Sequence, residues 1–116
     1  MRRTVLIVDD DAPFRRAARE LLTLEGYDVV GEAEDGESGV AAAARLEPAI
    51  VLLDVQLPDI DGFEVARRLD DAGHAGITVL VSGRTGNYRR RAADSPVAGF
   101  LLKGDLTGGA LAGLVG

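Results

Sequence analysis

The chain contains no cysteine, so neither a disulfide framework nor a thiolate metal site can form. It also lacks long hydrophobic runs: the longest are about strand length, well short of the roughly 20 residues that a membrane-spanning helix needs. The apolar run near the N-terminus ends at Val8, before three aspartates, and has neither the length nor the small-residue cleavage site of a signal peptide. These absences predict a cytoplasmic protein without a membrane segment.

Basic residues are outnumbered by acidic ones, 13 against 19, which gives a formal net charge of -6. A phosphate backbone binds positively charged surfaces, so we expect no direct nucleic-acid binding by this chain. The chain also has no Ser-x-Gly elbow and no Gly-rich phosphate loop. The sequence motifs that would indicate a hydrolase or a nucleotidase are therefore missing. The single histidine, His74, stands in a glycine-flanked loop, where we expect it to be solvated.

What is present is ordinary for a globular protein. Hydrophobic residues make up 47% of the 116 positions and charged residues 28%, which argues against disorder. A chain of this length can bury a core without disulfides or a structural metal. We therefore expect one domain over residues 1–116, with no output domain in this chain.

Short apolar strands alternate with helical periodicity along the whole chain. The predicted strands cover residues 4–8, 27–33, 49–54, 77–81 and 97–102. The predicted helices lie between Asp11 and Gly26, over 37–46, from Asp61 to about Ala72, over 84–94, and along a last apolar stripe of Leu106, Ala110, Leu111 and Leu114. This alternation predicts a doubly wound α/β domain.

The strand compositions predict the order of the sheet. Three strands are strongly apolar, as strands buried on both faces of a parallel sheet are. The second strand contains Asp28 and Glu32, so we place it at an edge. We therefore expect a five-stranded parallel sheet in the order 2-1-3-4-5, with five helices and right-handed crossovers.

Aspartates precede two of the predicted helices. Asp11 is placed as an N-cap, with Pro13 in the first turn, where its missing N–H costs nothing. Asp61 and Glu64 have the spacing of a capping box. We interpret Asp59 as a turn residue and Asp61 as a cap, rather than as metal ligands.

The fourth helix has the poorest pattern of the five. Gly86 and Asn87 weaken its start, and the run Arg89-Arg90-Arg91 leaves little apolar face. Such a run is usually a solvated face, although it could also meet an acidic partner.

Polar residues stand at the ends of four predicted strands: Asp9 and Asp10, Asp54, Ser82 and Lys103. The carboxyl ends of parallel strands meet at one edge, where open α/β sheets keep their ligand sites. In the predicted order Asp10 and Asp54 lie on neighbouring strands, and a hard cation such as Mg²⁺ or Mn²⁺ would relieve their repulsion. With the Lys103 charge and the Ser82 hydroxyl, this set predicts a phosphoryl-transfer site with Asp54 as nucleophile.

Several short segments stand in a recognisable order on these elements: Val5-Leu6-Ile7-Val8-Asp9-Asp10, Leu53-Asp54, Leu57-Pro58 with Asp61-Gly62, Val81-Ser82, and Phe100 with Lys103. Each is a weak signal alone, and the ordered set is highly specific. With it the chain resembles, over essentially all of its length, the receiver domain of bacterial two-component response regulators. The resemblance implies a flavodoxin-like fold and a signalling role in a phosphorelay, rather than an enzyme.

The resemblance also implies a metal site. Asp10 and Asp54 would ligate Mg²⁺ directly, Asp9 would act through water, and the backbone carbonyl of Gln56 would be a further ligand. Asp54 would be the phosphoacceptor, taking the phosphoryl group from a sensor histidine kinase, a phosphotransfer protein or a small phosphodonor.

The same resemblance assigns roles around the phosphoryl group. Ser82 would bond one phosphoryl oxygen and Lys103 would pair with it. Phe100 would be the switch aromatic, turning inward when Ser82 moves, and Gln56 and Arg84 would tune the phosphoryl lifetime. The implied downstream partners are an output domain or a separate protein target, and a second copy of the chain after phosphorylation.

Two positions depart from the family pattern. Gly104 follows Lys103 where the family usually has a proline after a cis peptide bond, and Gly83 stands where it usually has alanine. With the weak fourth helix, these departures motivate an alternative: a receiver-like interaction module that no longer switches by phosphorylation. A flavodoxin-like cofactor binder is disfavoured, because three aspartates at the strand ends would repel a cofactor phosphate.

Overall fold

Five parallel strands form the centre of the molecule, a computed structural model that describes residues 3–84 and 86–115. The strands are β1 (Thr4–Val8), β2 (Asp28–Ala33), β3 (Ile50–Asp54), β4 (Ile77–Ser82) and β5 (Gly99–Leu102). They pair in parallel in the order β2-β1-β3-β4-β5. The predicted sheet order is confirmed.

In the described part of the chain, five α-helices connect and flank the strands: α1 (Ala12–Leu24), α2 (Gly36–Leu46), α3 (Gly62–Asp71), α4 (Tyr88–Ala93) and α5 (Gly108–Val115). A 3₁₀ turn over Lys103–Asp105, which was not predicted, joins β5 to the loop before α5. Across the described residues, no helix has both the length and the apolar character required to cross a membrane.

The sheet separates two apolar cores, because successive side chains of a strand point to opposite faces. Leu6 and Val8 of β1 face a core that they share with α2, α3 and α4. Val5 and Ile7 face a second core that they share with α1 and α5. All four side chains are fully buried, as expected for a strand covered on both faces.

Strand β2 lies at the edge of the sheet, as its polar residues predicted. Its pairing with β1 shifts register between Val5 and Leu6. Glu32 of β2 binds two arginines of α1, with Arg15 Nε at 3.0 Å and Arg19 Nε at 2.6 Å. Burial opposes ionisation of Glu32, but the hydrogen bonds from Arg19 and Arg15 outweigh it and lower the pKa of the carboxyl.

Aspartate caps begin three helices. The Phe14 N–H donates to Asp11 Oδ1 at 3.4 Å, and Pro13 lies in the first turn of α1, as predicted. The Ser38 N–H donates to Asp35 Oδ1 at 2.7 Å and starts α2. Asp61 caps α3, as described next.

The predicted capping box at the start of α3 forms only in half. The Glu64 N–H donates to Asp61 Oδ1 at 2.9 Å, which confirms Asp61 as the cap. The Glu64 carboxylate does not reach back along the chain; it pairs with Arg67 and Arg68. Two arginines one turn ahead offer charged donors, which bind a carboxylate more strongly than a neutral backbone N–H does.

Helix α4 is shorter than predicted. It begins at Tyr88 rather than at residue 84, and the side chain of Asn87, the residue before it, makes no capping hydrogen bond with a described residue. Gly86 has a φ of +49°, a left-handed conformation that cannot continue into a helix. Residue 85, within the predicted helix, lies outside the described residues, as do residues 1, 2 and 116.

The prediction that His74 is solvated is wrong. The residue is half-buried, and its Nε2 atom is buried without a hydrogen-bond partner among the described residues. Gly73, with a φ of +74°, turns the loop so that His74 helps to line a cavity of about 310 Å³ beside Pro48 and Leu69. Burial lowers the pKa of the imidazole.

Candidate functional site

Three carboxylates meet at the carboxyl edge of the sheet. Asp9 and Asp10 follow β1 directly, and Asp54 is the last residue of the neighbouring strand β3. One oxygen atom of each lies within 4.8 Å of the corresponding atoms of the other two. Asp9 and Asp54 are 0% and 5% exposed, and Asp10 is exposed at the mouth of the site. The structure thus brings together the three aspartates that the strand order predicted.

Lys103 is the positive charge of this cluster. Its Nζ atom lies 2.7 Å from Asp9 Oδ2 and 3.8 Å from Asp54 Oδ2. The ammonium group also lies 4.5 Å from the ring centroid of Phe14, a cation–π contact that the sequence interpretation missed. In this structure Lys103 therefore holds the two buried carboxylates together.

The electrostatics of Asp54 favour a proton or a cation at its carboxylate. Burial, and then the negative charge of Asp9, raise the pKa of Asp54 to about 6. The charge of Lys103 and a hydrogen bond from the Gln56 backbone N–H oppose this shift without cancelling it. The site carries more negative charge than one ammonium group can neutralise.

The donor atoms of the cluster fit a hard divalent cation. The Asp11 N–H donates to Asp9 Oδ1 at 2.9 Å. The other oxygen, Oδ2, is buried beside Lys103 Nζ, but no donor among the described residues is aligned to hydrogen-bond it. A buried carboxylate oxygen without an aligned donor, facing two more carboxylates, is the oxygen-rich environment that Mg²⁺ prefers. Asp9, Asp10 and Asp54 are the residues that could hold such an ion.

Ser82 ends the strand next to Asp54. In the β3–β4 register Asp54 lies opposite Val81, which places Ser82 one residue further along the same edge. Its side chain is buried, and its Oγ atom accepts a hydrogen bond of 3.1 Å from the Arg84 N–H. Because Oγ accepts this bond, the hydroxyl proton is free of it and can be donated elsewhere. Arg84 itself is exposed.

Phe100 lies in an aromatic row beneath α4. Its ring is 5% exposed, and its centroid lies 6.1 Å from that of Tyr88, which is also 6.1 Å from Phe63. The Tyr88 hydroxyl accepts a hydrogen bond of 3.2 Å from Gln56 Nε2. Tyr88 therefore links the loop after Asp54 to Phe100. The sequence interpretation missed it; its one available signal was an aromatic residue in an otherwise polar, arginine-rich helix start.

Gly104 lies inside the 3₁₀ turn that carries Lys103, with no neighbouring atom within 4 Å of where a Cβ atom would be. The described residues contain no cis peptide bond. The backbone after Lys103 therefore differs from the cis-proline form that is usual in the family that the sequence resembles.

Known proteins resemble this chain along most of its length. Residues 5–107 match the family model described as the response regulator receiver domain. The transcription regulator BvgA of Bordetella pertussis is 37% identical over 100 residues, which cover 85% of this chain and 48% of BvgA. The transcriptional regulatory protein PdtaR of Mycobacterium tuberculosis is 37% identical over 101 residues, covering 87% and 49% of the two proteins. The chain spans about half the length of these curated relatives.

A solved structure agrees with these relatives. The signal receiver domain of NarL from Mycobacterium tuberculosis superposes with a TM-score of 0.88 at 30% sequence identity, covering 99% of this chain and 98% of that one. The strand order, the site at the strand ends and these similarities lead to one conclusion. The chain belongs to the family of response regulator receiver domains of two-component systems.

Proposed function

We propose that this receiver domain accepts a phosphoryl group on Asp54 in the presence of Mg²⁺ or Mn²⁺, and that phosphorylation changes the partner affinity of its α4–β5 face. One observation carries the proposal: the carboxylates of Asp9, Asp10 and Asp54 converge, with Lys103 Nζ 3.8 Å from Asp54. A carboxylate nucleophile beside a cationic group and a cation-binding acid pair is suited to phosphoryl transfer.

The transfer would form a bond between an Asp54 oxygen and phosphorus and break the P–N bond of a kinase phosphohistidine, with the imidazole taking up a proton as it leaves. Asp54 must be ionised to attack, and with a pKa of about 6 it is mostly ionised at neutral pH. Lys103 would pair with a phosphoryl oxygen. A bound divalent cation would neutralise charge on the phosphoryl oxygens, held by Asp10 and Asp54, by Asp9 through water, and by the Gln56 carbonyl.

Ser82 and Phe100 would report the phosphorylated state. The Ser82 hydroxyl accepts from the Arg84 N–H, so its proton is available for a phosphoryl oxygen. Phe100 is already buried, so its response would be a rearrangement of its contacts with Tyr88 and Arg89. Gln56 and Arg84 follow Asp54 and Ser82 by two positions each, and we assign them to tuning the phosphoryl lifetime.

We assign a sensor histidine kinase or a phosphotransfer protein as the upstream partner. BvgA and PdtaR are named as transcription regulators, and the chain spans about half of each. We therefore infer that the domain signals to an output domain or to a separate protein target, and that a second copy of the chain is a further partner after phosphorylation.

The direct test is a mass measurement. The chain is incubated with acetyl phosphate or phosphoramidate and Mg²⁺, and we expect its intact mass to increase by one phosphoryl group. Asp54→Asn should show no increase, whereas the matched variant Asp59→Asn, a nearby aspartate outside the cluster, should still be modified. An unchanged mass, or an equal increase in Asp54→Asn, would contradict the proposal.

The second candidate function, an interaction module without phosphoryl switching, is favoured by Gly104 after Lys103 and by the brevity of α4. Mg²⁺ titration separates the two. An ion that binds only the native state at 100 times its Kd adds about 2.7 kcal/mol of stability. A rise in Tm with Mg²⁺ that Asp10→Asn removes supports the phosphoacceptor, and a flat titration supports the module.

A further inference from the structure

We infer that the α4 arginine face, formed by Arg89, Arg90 and Arg91, docks an acidic, amphipathic segment of a partner protein. All three side chains are exposed. The inference rests on the proposed function in one respect only, that the α4–β5 face is where partners bind, and it adds the chemistry of the partner.

Positive charge is concentrated on this face. Residues 72–93 include four of the 13 basic residues of the chain and none of its 19 acidic residues. The rest of the chain is strongly acidic. A segment that excludes carboxylates in such a chain presents a local positive potential, and a partner of opposite charge is steered toward it.

Four arginines elsewhere on the described surface, Arg15, Arg19, Arg67 and Arg68, are neutralised by internal partners, whereas Arg3, Arg16 and Arg45 form no ion pair with another described residue. Arg15 and Arg19 share Glu32, at 3.0 and 2.6 Å, and the arginines of α3 pair with carboxylates of α2 and α3. On the α4 arginine face, the described residues provide a single ion pair, Arg91 with Asp61 at 3.7 Å. This face therefore retains donors for an outside carboxylate.

Two of these guanidinium groups are held in place by aromatic rings. Arg91 lies 3.9 Å from the ring centroid of Phe63, and Arg89 lies 5.2 Å from that of Phe100. A stacked guanidinium keeps its edge for hydrogen bonding and loses less side-chain freedom when it binds a carboxylate. The face is preorganised for bidentate carboxylate contacts.

A groove lies next to the arginines, between α4 and β5, with a volume of about 370 Å³. Its lining mixes polar and apolar surface, and includes Arg89 and the small apolar side chains of Ala93, Val97 and Ala98. A groove of this kind suits apolar side chains that project from the same segment as the carboxylates.

These dimensions favour a peptide over a nucleic acid. Helix α4 has six residues, which corresponds to about 9 Å at 1.5 Å per residue. A nucleic acid extending beyond this short patch would meet the net negative charge of the remaining surface. Its phosphates would also make no apolar contact with Ala93, Val97 and Ala98 in the groove.

The test uses fluorescence anisotropy with the unphosphorylated chain. The probe is a short labelled peptide of glutamates with two leucines one helical turn apart, and a second peptide has glycines in place of the leucines. We expect saturable binding that weakens as salt is added, and tighter binding of the peptide with leucines. The double variant Arg89→Glu/Arg90→Glu should weaken binding by about tenfold or more.

Two controls keep the result interpretable. Arg90→Glu leaves both stacked arginines in place and should still weaken binding by about threefold. Arg45→Glu, on the exposed surface of α2, should leave binding within about twofold of the original chain. Absence of saturable binding, equal losses in Arg45→Glu and the double variant, or tighter binding of duplex DNA or polyphosphate than of the peptide would overturn the inference. None of these outcomes depends on phosphorylation of Asp54, so the inference and the proposed function can fail separately.

Discussion

Among single residues, Asp54 links the protonation of the site to the stability of the fold. Its folded pKa of about 6 lies above the ordinary value of 3.8, so between these values the native chain binds a proton that the unfolded chain has released. Stability contributed by this group is therefore present at low pH and is lost as the pH rises through that interval. Without a bound cation, the ionised site weakens the fold at neutral pH.

Asp54→Asn should consequently stabilise the chain in EDTA. At pH 8 we expect a gain on the order of 1 kcal/mol in the free energy of unfolding, since the site is partly screened by solvent, and the gain should vanish by about pH 4. Urea denaturation at several pH values measures it, with the exposed Asp70→Asn as the control. A loss of stability at pH 8 would show that Asp54 has a structural role instead.

Asp59 is a cap for a helix distant in sequence. The Gly36 and Glu37 N–H groups at the start of α2 donate to its two oxygens at 2.7 and 2.8 Å. Hydrogen bonds from Glu37 and Gly36 lower the pKa of Asp59 to about 2, so its contribution is present above pH 3.8 and is lost as the pH falls toward 2.

Asp59→Ala should therefore lower the Tm at pH 7, and its deficit relative to the original chain should shrink at acidic pH. Asp59→Asn keeps one acceptor oxygen, so its Tm at pH 7 should lie between those of Asp59→Ala and the original chain. Thermal scans followed by circular dichroism at pH 7 and pH 3 test this. A pH-independent deficit would mean that the carboxylate charge does not matter.

Single-residue roles could be predicted from sequence only where the partner is near in the chain. The caps Asp11 and Asp61 bind N–H groups three residues ahead, a spacing visible in the sequence. Asp59 binds groups 23 and 22 residues away, and the Lys103 ion pair with Asp9 joins opposite ends of the chain. Such pairs depend on packing and on rotamers, which spacing does not reveal.

Among the secondary-structure elements, α3 and β3 make a close backbone contact beside the site. A Cβ atom on Gly62 would clash with the backbone oxygen of Asp54, and the Gly62 N–H donates to Val55 O at 2.8 Å. Because the opposing atoms are backbone, they cannot rotate away. The first turn of α3 thus fixes the position of the backbone that carries the acceptor.

Gly62→Ala should destabilise the chain by about 2 kcal/mol or more, as overpacking against a fixed backbone does. Gly113→Ala is the matched control: among the described residues, no atom lies within 4 Å of a new Cβ on this α5 glycine, so alanine should stabilise the helix by about 0.5–1 kcal/mol. Chemical denaturation compares them. Equal effects of the two substitutions would contradict the close contact.

The helices and strands could be predicted because apolar runs and helical periodicity are patterns within a short stretch of sequence. The residues at which the elements begin and end were harder to predict. Helix α4 begins four residues later than predicted, and the turn after β5 is a 3₁₀ helix rather than a loop. Both differences arise where glycines leave the backbone several options, so that packing against the rest of the molecule decides.

At the scale of the whole molecule, two cores share one sheet and should unfold together. The chain has no tryptophan, and its two tyrosines pack on opposite faces, Tyr27 against the α1–α5 core and Tyr88 against the other. The sheet order could be predicted because short parallel crossovers admit few topologies. The burial of each side chain could not be predicted in the same way, because it depends on how the helices pack over the sheet.

We expect Tyr27→Phe and Tyr88→Phe, each with one remaining tyrosine, to give coincident unfolding curves by tyrosine fluorescence and circular dichroism. Tyr27→Phe should be less stable than the original chain by about 1 kcal/mol, because the Tyr27 hydroxyl donates to Gly108 O at 3.0 Å. Separate midpoints for the two probes within one variant would show that the two faces unfold independently.

The register shift between β1 and β2 has a consequence for association. Unpaired strand edges are templates on which another chain can add a strand and begin aggregation. One edge of this sheet is β2, whose pairing with β1 is irregular at the register shift and which carries Asp28 and the ion-paired Glu32. The other edge is β5, which has only four residues. An irregular charged edge and a short one are both poor templates, so this sheet resists growth by strand addition at either side.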